Sequence, residues 1–141
     1  MTRKKSRGFT LTEIMVVIAI IGILLGLVLV ALPKVRQSAK DARIKSDMLQ
    51  FQNLAENIYL DEGNYDKVDP ALSLEIAAIG NDISTQGSSL IIEKASPAYK
   101  YCAYASLVSG SYFCVDYMGN TAETATPDNS CDSGINSFTC Q

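Results

Sequence analysis

Nineteen consecutive residues, Ile14 to Leu32, carry no charge and read IMVVIAIIGILLGLVLVAL. No other stretch restricts the fold of this chain as strongly. At ~1.5 Å of rise per residue, such a helix nearly crosses a ~30 Å hydrocarbon core. It exceeds the ~7–15-residue apolar region of an ordinary secretory signal. The run therefore reads as a retained membrane helix. Its flanks do not orient it. Four basic residues precede it (Arg3, Lys4, Lys5, Arg7) and five follow (Lys34, Arg36, Lys40, Arg43, Lys45), so counting positive charge is inconclusive. The cysteines help. Cys102, Cys114, Cys131 and Cys140 all fall in the last 40 residues, without a CxxC pair. An even, clustered set reads as two disulfides in an oxidising compartment rather than a zinc or redox site. That places the C-terminal region outside and the N-terminus in the cytoplasm.

Charge and composition remove several classes. The net charge of −3 hides an asymmetry: from Ser46 onward there are 3 basic and 13 acidic residues, a balance of −10. A nucleic-acid-binding domain normally carries a basic patch, and no direct nucleic-acid site is evident here. The chain has no histidine, which removes histidine acid–base chemistry, Ser-His triads and histidine metal ligands. No nucleophile–base constellation is recognisable, so catalytic residues are not expected.

Two details go beyond a plain anchor. Glu13 stands at the edge of the apolar run, where an ionisable group is expensive and marks a functional candidate. Gly22 and Gly26 form a GxxxG, followed by Pro33. Such glycines permit close helix approach, and glycine with proline marks where a helix bends or loses backbone bonds.

The segment Lys4-Lys5-Ser6-Arg7-Gly8-Phe9-Thr10-Leu11-Thr12-Glu13 reads as one unit. A basic leader ends in glycine; an aromatic residue, Thr-Leu, a glutamate and a long apolar helix follow. This resembles the class III signal of type IV pilins and the related pseudopilins. The resemblance implies that a prepilin peptidase cuts between Gly8 and Phe9 on the cytoplasmic side. The new Phe9 amine is then N-methylated, and Glu13 serves assembly. A carboxylate in an apolar bundle needs a cationic partner, because an unpaired buried charge costs several kcal/mol. The Phe9 amine of a neighbouring copy supplies one, registering one subunit against the next as polar groups do in other helix assemblies. Pro33 lies at the end of the hydrophobic segment, later than the helix-bending proline of many pilins. Gly22, Gly26 and Pro33 are the candidates for helix bending.

Beyond Lys34 the chain reads as helix to about Leu60. Ile44, Met48, Phe51, Ala55 and Ile58 recur as one apolar stripe suited to packing on the chain's own domain. Gly63 is a good C-terminal cap. Residues 66–97 are mixed, with a short helical turn near Leu72–Ala77 and a strand near Ser88–Glu93. Tyr99–Ala105 and Ser111–Tyr117 read as strands of a hairpin about Ser109-Gly110. A two-residue loop there would put Cys102 and Cys114 on opposite faces, since side chains alternate, and send each to the C-terminal segment. A three-residue loop reverses the parity. Four cysteines allow three pairings, and the choice stays open at this point. The tail from Gly119 is polar and too poor in apolar residues to hold itself down, so disulfides are its natural tether. Major pseudopilins of type II secretion, which this chain resembles, often hold calcium in that region. Asp116, Asp128, Asn129 and Asp132 offer oxygens, although without EF-hand spacing; a solvated loop without a cofactor is the simpler expectation.

The fold expected is α+β and type IV pilin-like. A long N-terminal helix, with a membrane half and an amphipathic half, packs on a small antiparallel β-sheet with a disulfide-tethered C-terminal loop. The expected divisions are a leader at 1–8, a transmembrane and filament-core helix at 9–33, its amphipathic half at 34–62, and a globular head at 63–141. The leading function is that of a structural pilin, held in the inner membrane and polymerised into a displayed type IV pilus. The alternative is a pseudopilin of a type II secretion or competence system, forming a periplasmic fibre. A membrane-anchored enzyme or sensor is the outside reading. The partners implied by the resemblance are further copies of the same chain, the prepilin peptidase, an assembly ATPase acting through a platform protein, and inner-membrane lipid.

Overall fold

The computed structural model describes residues 8–126, 131 and 138–140. The chain forms two compact units, one ending at Arg36 and one beginning at Gln37. Helix α1 runs from Leu11 to Glu62. Within the first unit its side chains are exposed all round, including Phe9, Ile18, Leu24 and Val30. A helix apolar on every face has no core of its own to choose, as expected of a membrane span. It is also the one described helix long and apolar enough to cross a membrane.

In the second unit α1 becomes amphipathic. Ile44, Met48, Phe51 and Ala55 are fully buried, and Ile58 is partly buried against the same cluster. The stripe works because residues three and four apart share a helix face. Each large member contributes roughly 1.5–3 kcal/mol by leaving water. The helix stops at Gly63, whose φ of 72° suits the left-handed conformation that closes a helix and whose N–H donates to the Tyr59 carbonyl at 2.8 Å.

Helix α2, Leu74–Thr85, follows; the Ser73 hydroxyl accepts from Ile76 N–H at its start. It extends well beyond the single turn expected near Leu72–Ala77. Ile76 and Ile83 bury one face of it. Four strands complete the unit: β1 Leu90–Lys94, β2 Tyr101–Ser106, β3 Tyr112–Asp116 and β4 Thr121–Thr124. They form one antiparallel sheet in the order β1-β2-β3-β4. Strand β4 was not expected from the polar composition of the tail.

The hairpin closes as the three-residue alternative. Leu107 N–H donates to Ser111 O at 2.7 Å, and Val108-Ser109-Gly110 make the turn, with Gly110 at φ 101°. The register pairs Cys102 with Asp116 and Tyr104 with Cys114. Tyr101, Ala103, Ala105 and Val115 therefore face the core that includes the α1 stripe, while Cys102, Cys114 and Asp116 share the opposite face. Phe51 and Tyr65 both meet the Tyr101 ring edge-on. The central strands β2 and β3 are enclosed on both faces, by the helix on one side and by C-terminal residues on the other, while the edge strands β1 and β4 are partly exposed.

Candidate functional site

The N-terminal segment is built around a reciprocal cap. Thr10 precedes the first helical residue, and its hydroxyl accepts from Glu13 N–H at 3.3 Å. The Glu13 carboxylate accepts in return from Thr10 N–H at 3.0 Å and from the Thr10 hydroxyl at 3.1 Å. Two helix-terminal donors are thereby satisfied, as in a capping box. Glu13 also lies near the positive end of the helix dipole, where a carboxylate is favoured. Sequence reasoning singled out Glu13 and passed over Thr10, although the Thr-x-x-Glu spacing was legible. Phe9, Thr12, Glu13, Val16 and Val17 line a shallow open groove beside the cap.

Gly8 is exposed and lies just outside α1. Nothing stands within 4 Å of where a Cβ would project at Gly8, Gly22 or Gly26, so each leaves room for another chain to approach closely. Pro33 is inside α1. The helix continues through Gly22, Gly26 and Pro33 as one element.

The second constellation is the cysteine-bearing face of the sheet. Cys102 bonds Cys131 and Cys114 bonds Cys140, with sequence separations of 29 and 26. The two cysteines of the sheet share a face, so the pairing to the tail does not come from opposed faces; their Sγ atoms lie 3.3 Å apart, each bonded outward to a C-terminal partner. The fully buried carboxylate of Asp116 organises the surroundings. Its Oδ1 accepts from Met118 N–H and Asn120 N–H, both at 2.9 Å. Its Oδ2 accepts from Asn120 Nδ2 at 3.1 Å and from Cys140 N–H at 3.0 Å. A carboxylate offers about four lone-pair sites, and these four donors fill them. Asp116 thus joins the end of β3, the turn into β4 and the tail residue beside a disulfide. The other calcium candidates, Asp128, Asn129 and Asp132, lie outside the described residues, as does the basic leader up to Arg7.

Around this frame several described charges of the second unit are paired. Arg43 meets Asp82 at 2.9 Å, and that contact holds the guanidinium more firmly protonated. Lys45 meets Glu123 at 2.6 Å, and hydrogen bonds from Lys45 and Ser111 hold the Glu123 carboxyl below its ordinary range. Asp47 is buried, its Oδ2 has no hydrogen-bond partner, and burial pushes its carboxyl upward, with nearby Asp82 adding to the shift and Arg43 opposing it.

A family model described as the prokaryotic N-terminal methylation motif matches residues 3–29. The chain is type IV pilin-like. It is 38% identical over 74 residues to the type II secretion system core protein G of Escherichia coli (strain K12), covering 52% of this chain and 51% of that protein. Over 75 residues it is 33% identical to the protein of the same name from Klebsiella pneumoniae, covering 53% of this chain and 54% of that one. The Aeromonas hydrophila protein is 35% identical over 72 residues, or 51% of this chain and 50% of its own length. The chain spans about half the length of the curated relatives it matches. No solved structure matches it. The pilin-like chain keeps the expected α+β arrangement of an apolar N-terminal helix, an antiparallel sheet and a disulfide pair in the C-terminal region.

Proposed function

We propose that this chain is a pseudopilin, the structural subunit of a short periplasmic fibre in a type II secretion-like machine. The observation that carries the proposal is its similarity to core protein G of that system in several bacteria. Sequence reasoning alone ranked a displayed pilus first, on the strength of four cysteines and a polar tail. Those features fit any extracytoplasmic head, and the relatives favour the pseudopilin instead.

In this reading a prepilin peptidase cleaves between Gly8 and Phe9 and the Phe9 amine is methylated. Residues 9–33 then hold the subunit in the inner membrane, with the head outside. Glu13 is capped by its own Thr10 in the resident subunit. During assembly it gains the Phe9 amine of a neighbouring copy, whose charge offsets the cost of enclosing a carboxylate among apolar helices. An assembly ATPase working through a platform protein lifts the subunit out. An apolar helix of this length leaves lipid readily only into another apolar bundle. Gly22 and Gly26 admit close packing there, and Pro33 marks where the helix yields. Polymerisation, rather than catalysis, is the activity.

Deletion of the gene in its own host tests this. The pseudopilin reading expects loss of exported proteins from the medium, and processed chain in the cell envelope rather than in sheared surface material. Abundant chain in sheared filaments, with export intact, would return the assignment to a displayed pilus.

A further inference from the structure

The four cysteines do not make two separate staples. Cys102 on β2 and Cys114 on β3 belong to different disulfides, yet their Sγ atoms lie 3.3 Å apart on one sheet face. The register explains the contact. Cys102 stands opposite Asp116 and Tyr104 opposite Cys114, so the two cysteines are diagonal neighbours on adjacent strands. The Sγ atoms of Cys102, Cys114 and Cys140 all lie within 4.8 Å of one another. Sulfur therefore meets sulfur between the two bridges, the arrangement from which thiol–disulfide exchange starts once one bridge opens.

Access decides which bridge opens and which sulfur leaves. Cys102 and Cys114 are fully buried and Cys131 nearly so, whereas Cys140 is partly exposed. A reductant that attacks Cys140 makes Cys114 the leaving thiolate, enclosed beneath the tail and against Cys102. A thiolate enclosed in the protein is disfavoured. Attack on Cys102 removes it: a Cys102–Cys114 bond forms, the Cys102–Cys131 bond breaks, and the charge passes to Cys131. Closing the 3.3 Å contact to an ordinary bond of about 2.05 Å needs only about 1.3 Å of movement.

We infer that the two disulfides are one exchange unit, in which a single reduction by a dithiol unties both tail anchors and leaves a Cys102–Cys114 bond in the sheet. The balance closes with one dithiol. Its first sulfur bonds Cys140 and frees Cys114; its second bonds the first and releases Cys140. The two protons of the dithiol end on Cys140 and Cys131. The dithiol is oxidised by two electrons, and the head goes from two disulfides to one. The result is a redox switch on one face of the head. Of the described contacts that hold the end of the tail, the Phe138 packing and the Cys140 N–H bond to Asp116 remain. The β1-β2-β3-β4 ladder and the α1 stripe are untouched, so the cysteine face opens without loss of the core. The switch goes beyond the fibre reading and does not depend on it.

The test uses the full oxidised chain in detergent, below its melting temperature. Dithiothreitol is added at one equivalent, free thiols are capped with N-ethylmaleimide over a time course, and chymotryptic peptides are mapped without reduction. No lysine or arginine follows Lys100, so trypsin would leave all four cysteines in one peptide. Molecules with two free thiols should carry caps on Cys131 and Cys140 and a peptide linking Cys102 to Cys114. Caps on Cys114 and Cys140 with Cys102–Cys131 intact, passage straight to four thiols, or no reduction at all would overturn the inference. Cys140→Ser tests the exchange step without a reductant, because it leaves Cys114 as a thiol beside the Cys102–Cys131 bond. Its one cap should fall on Cys131 in a substantial share of molecules. A cap confined to Cys114 would overturn the exchange.

Discussion

Replacing Asp116 by alanine should unfold the head more readily than any other single polar substitution in it. The carboxylate is fully buried and accepts from three backbone N–H groups and one side-chain amide. Met118 and Asn120 are exposed, so their donors can turn to water once the acceptor is gone. Cys140 N–H is more enclosed, and orphaning a buried donor costs about 1–3 kcal/mol. Three charge-assisted bonds are lost as well, while the cost of burying the carboxylate is relieved, for a net loss of about 3–4 kcal/mol. A domain of this size shifts by roughly 4–8 °C per kcal/mol, so Tm should fall by about 12–32 °C. Asp116→Asn keeps Oδ1 for the turn but points an NH2 at Cys140 N–H and Asn120 Nδ2, and should lose roughly half as much. The assay is a circular-dichroism melt of the full chain in detergent, with both disulfides verified by mass. An Asp116→Ala melt within about 3 °C of wild type would refute the reasoning, since four filled acceptor sites cannot then be organising the tail.

Other expectations come from the same packing. Each disulfide should be worth about 3–4 kcal/mol by chain entropy, so Cys131→Ser or Cys140→Ser should melt far below wild type, and non-reducing peptide maps should show only Cys102–Cys131 and Cys114–Cys140. Phe51→Ala should cost about 3–5 kcal/mol in a denaturant titration, whereas Leu60→Ala, on an exposed residue, should stay within about 0.5 kcal/mol. Asp47 has its folded-state carboxyl raised, by burial first. It therefore favours folding when protonated, and that contribution is lost as pH rises through its folded value. Asp47→Asn should accordingly be more stable than wild type at neutral pH, with the advantage shrinking as pH falls toward the ordinary aspartate range. Melts across pH check this, and a constant or growing difference at low pH would contradict it. Glu123 has the opposite sign, because its carboxyl is lowered by Lys45 and Ser111. Its support is present above its unfolded value and fades on acidification, so Glu123→Gln should cost stability at neutral pH and little in acid.

Much of the architecture was legible because it rests on local pattern. The apolar run, the stripe from Ile44 to Ala55 and the Gly63 stop are written at helical spacing, and the tyrosine-rich strands alternate as strands should. What escaped is what tertiary contact decides. The hairpin takes its three-residue turn with help from α1: Asp41 accepts from Val108 N–H at 2.6 Å, and Gln37 donates to Val108 O at 2.8 Å. Buried Leu107 anchors the same corner. No signal near Ser109-Gly110 announces contacts from a helix some seventy residues earlier. Helix α2 runs past the short turn expected near Leu72–Ala77: Gly80, Asn81, Ser84 and Thr85 are weak helix formers, and burial of Ile76 and Ile83 outweighs them. Strand β4 is four residues long, alternates exposed and half-buried, and holds its place by pairing with β3. At the N-terminus the motif was legible, and its Thr-x-x-Glu spacing already carried the sign of the Thr10–Glu13 cap. Asp116 was read as a possible cation ligand because a carboxylate in a polar tail gives no sign of the donors that will surround it.

Processing at Gly8-Phe9 fixes the start of the mature chain, on which the pseudopilin assignment depends. The decisive measurement is N-terminal peptide mass from the native host, taken with and without its prepilin peptidase. The expected result is a chain beginning at Phe9 and carrying one methyl group when the peptidase is present, and an uncut chain retaining Gly8 when it is absent. A chain that keeps its leader beside an active peptidase would contradict the account and leave residues 14–32 as a plain membrane anchor.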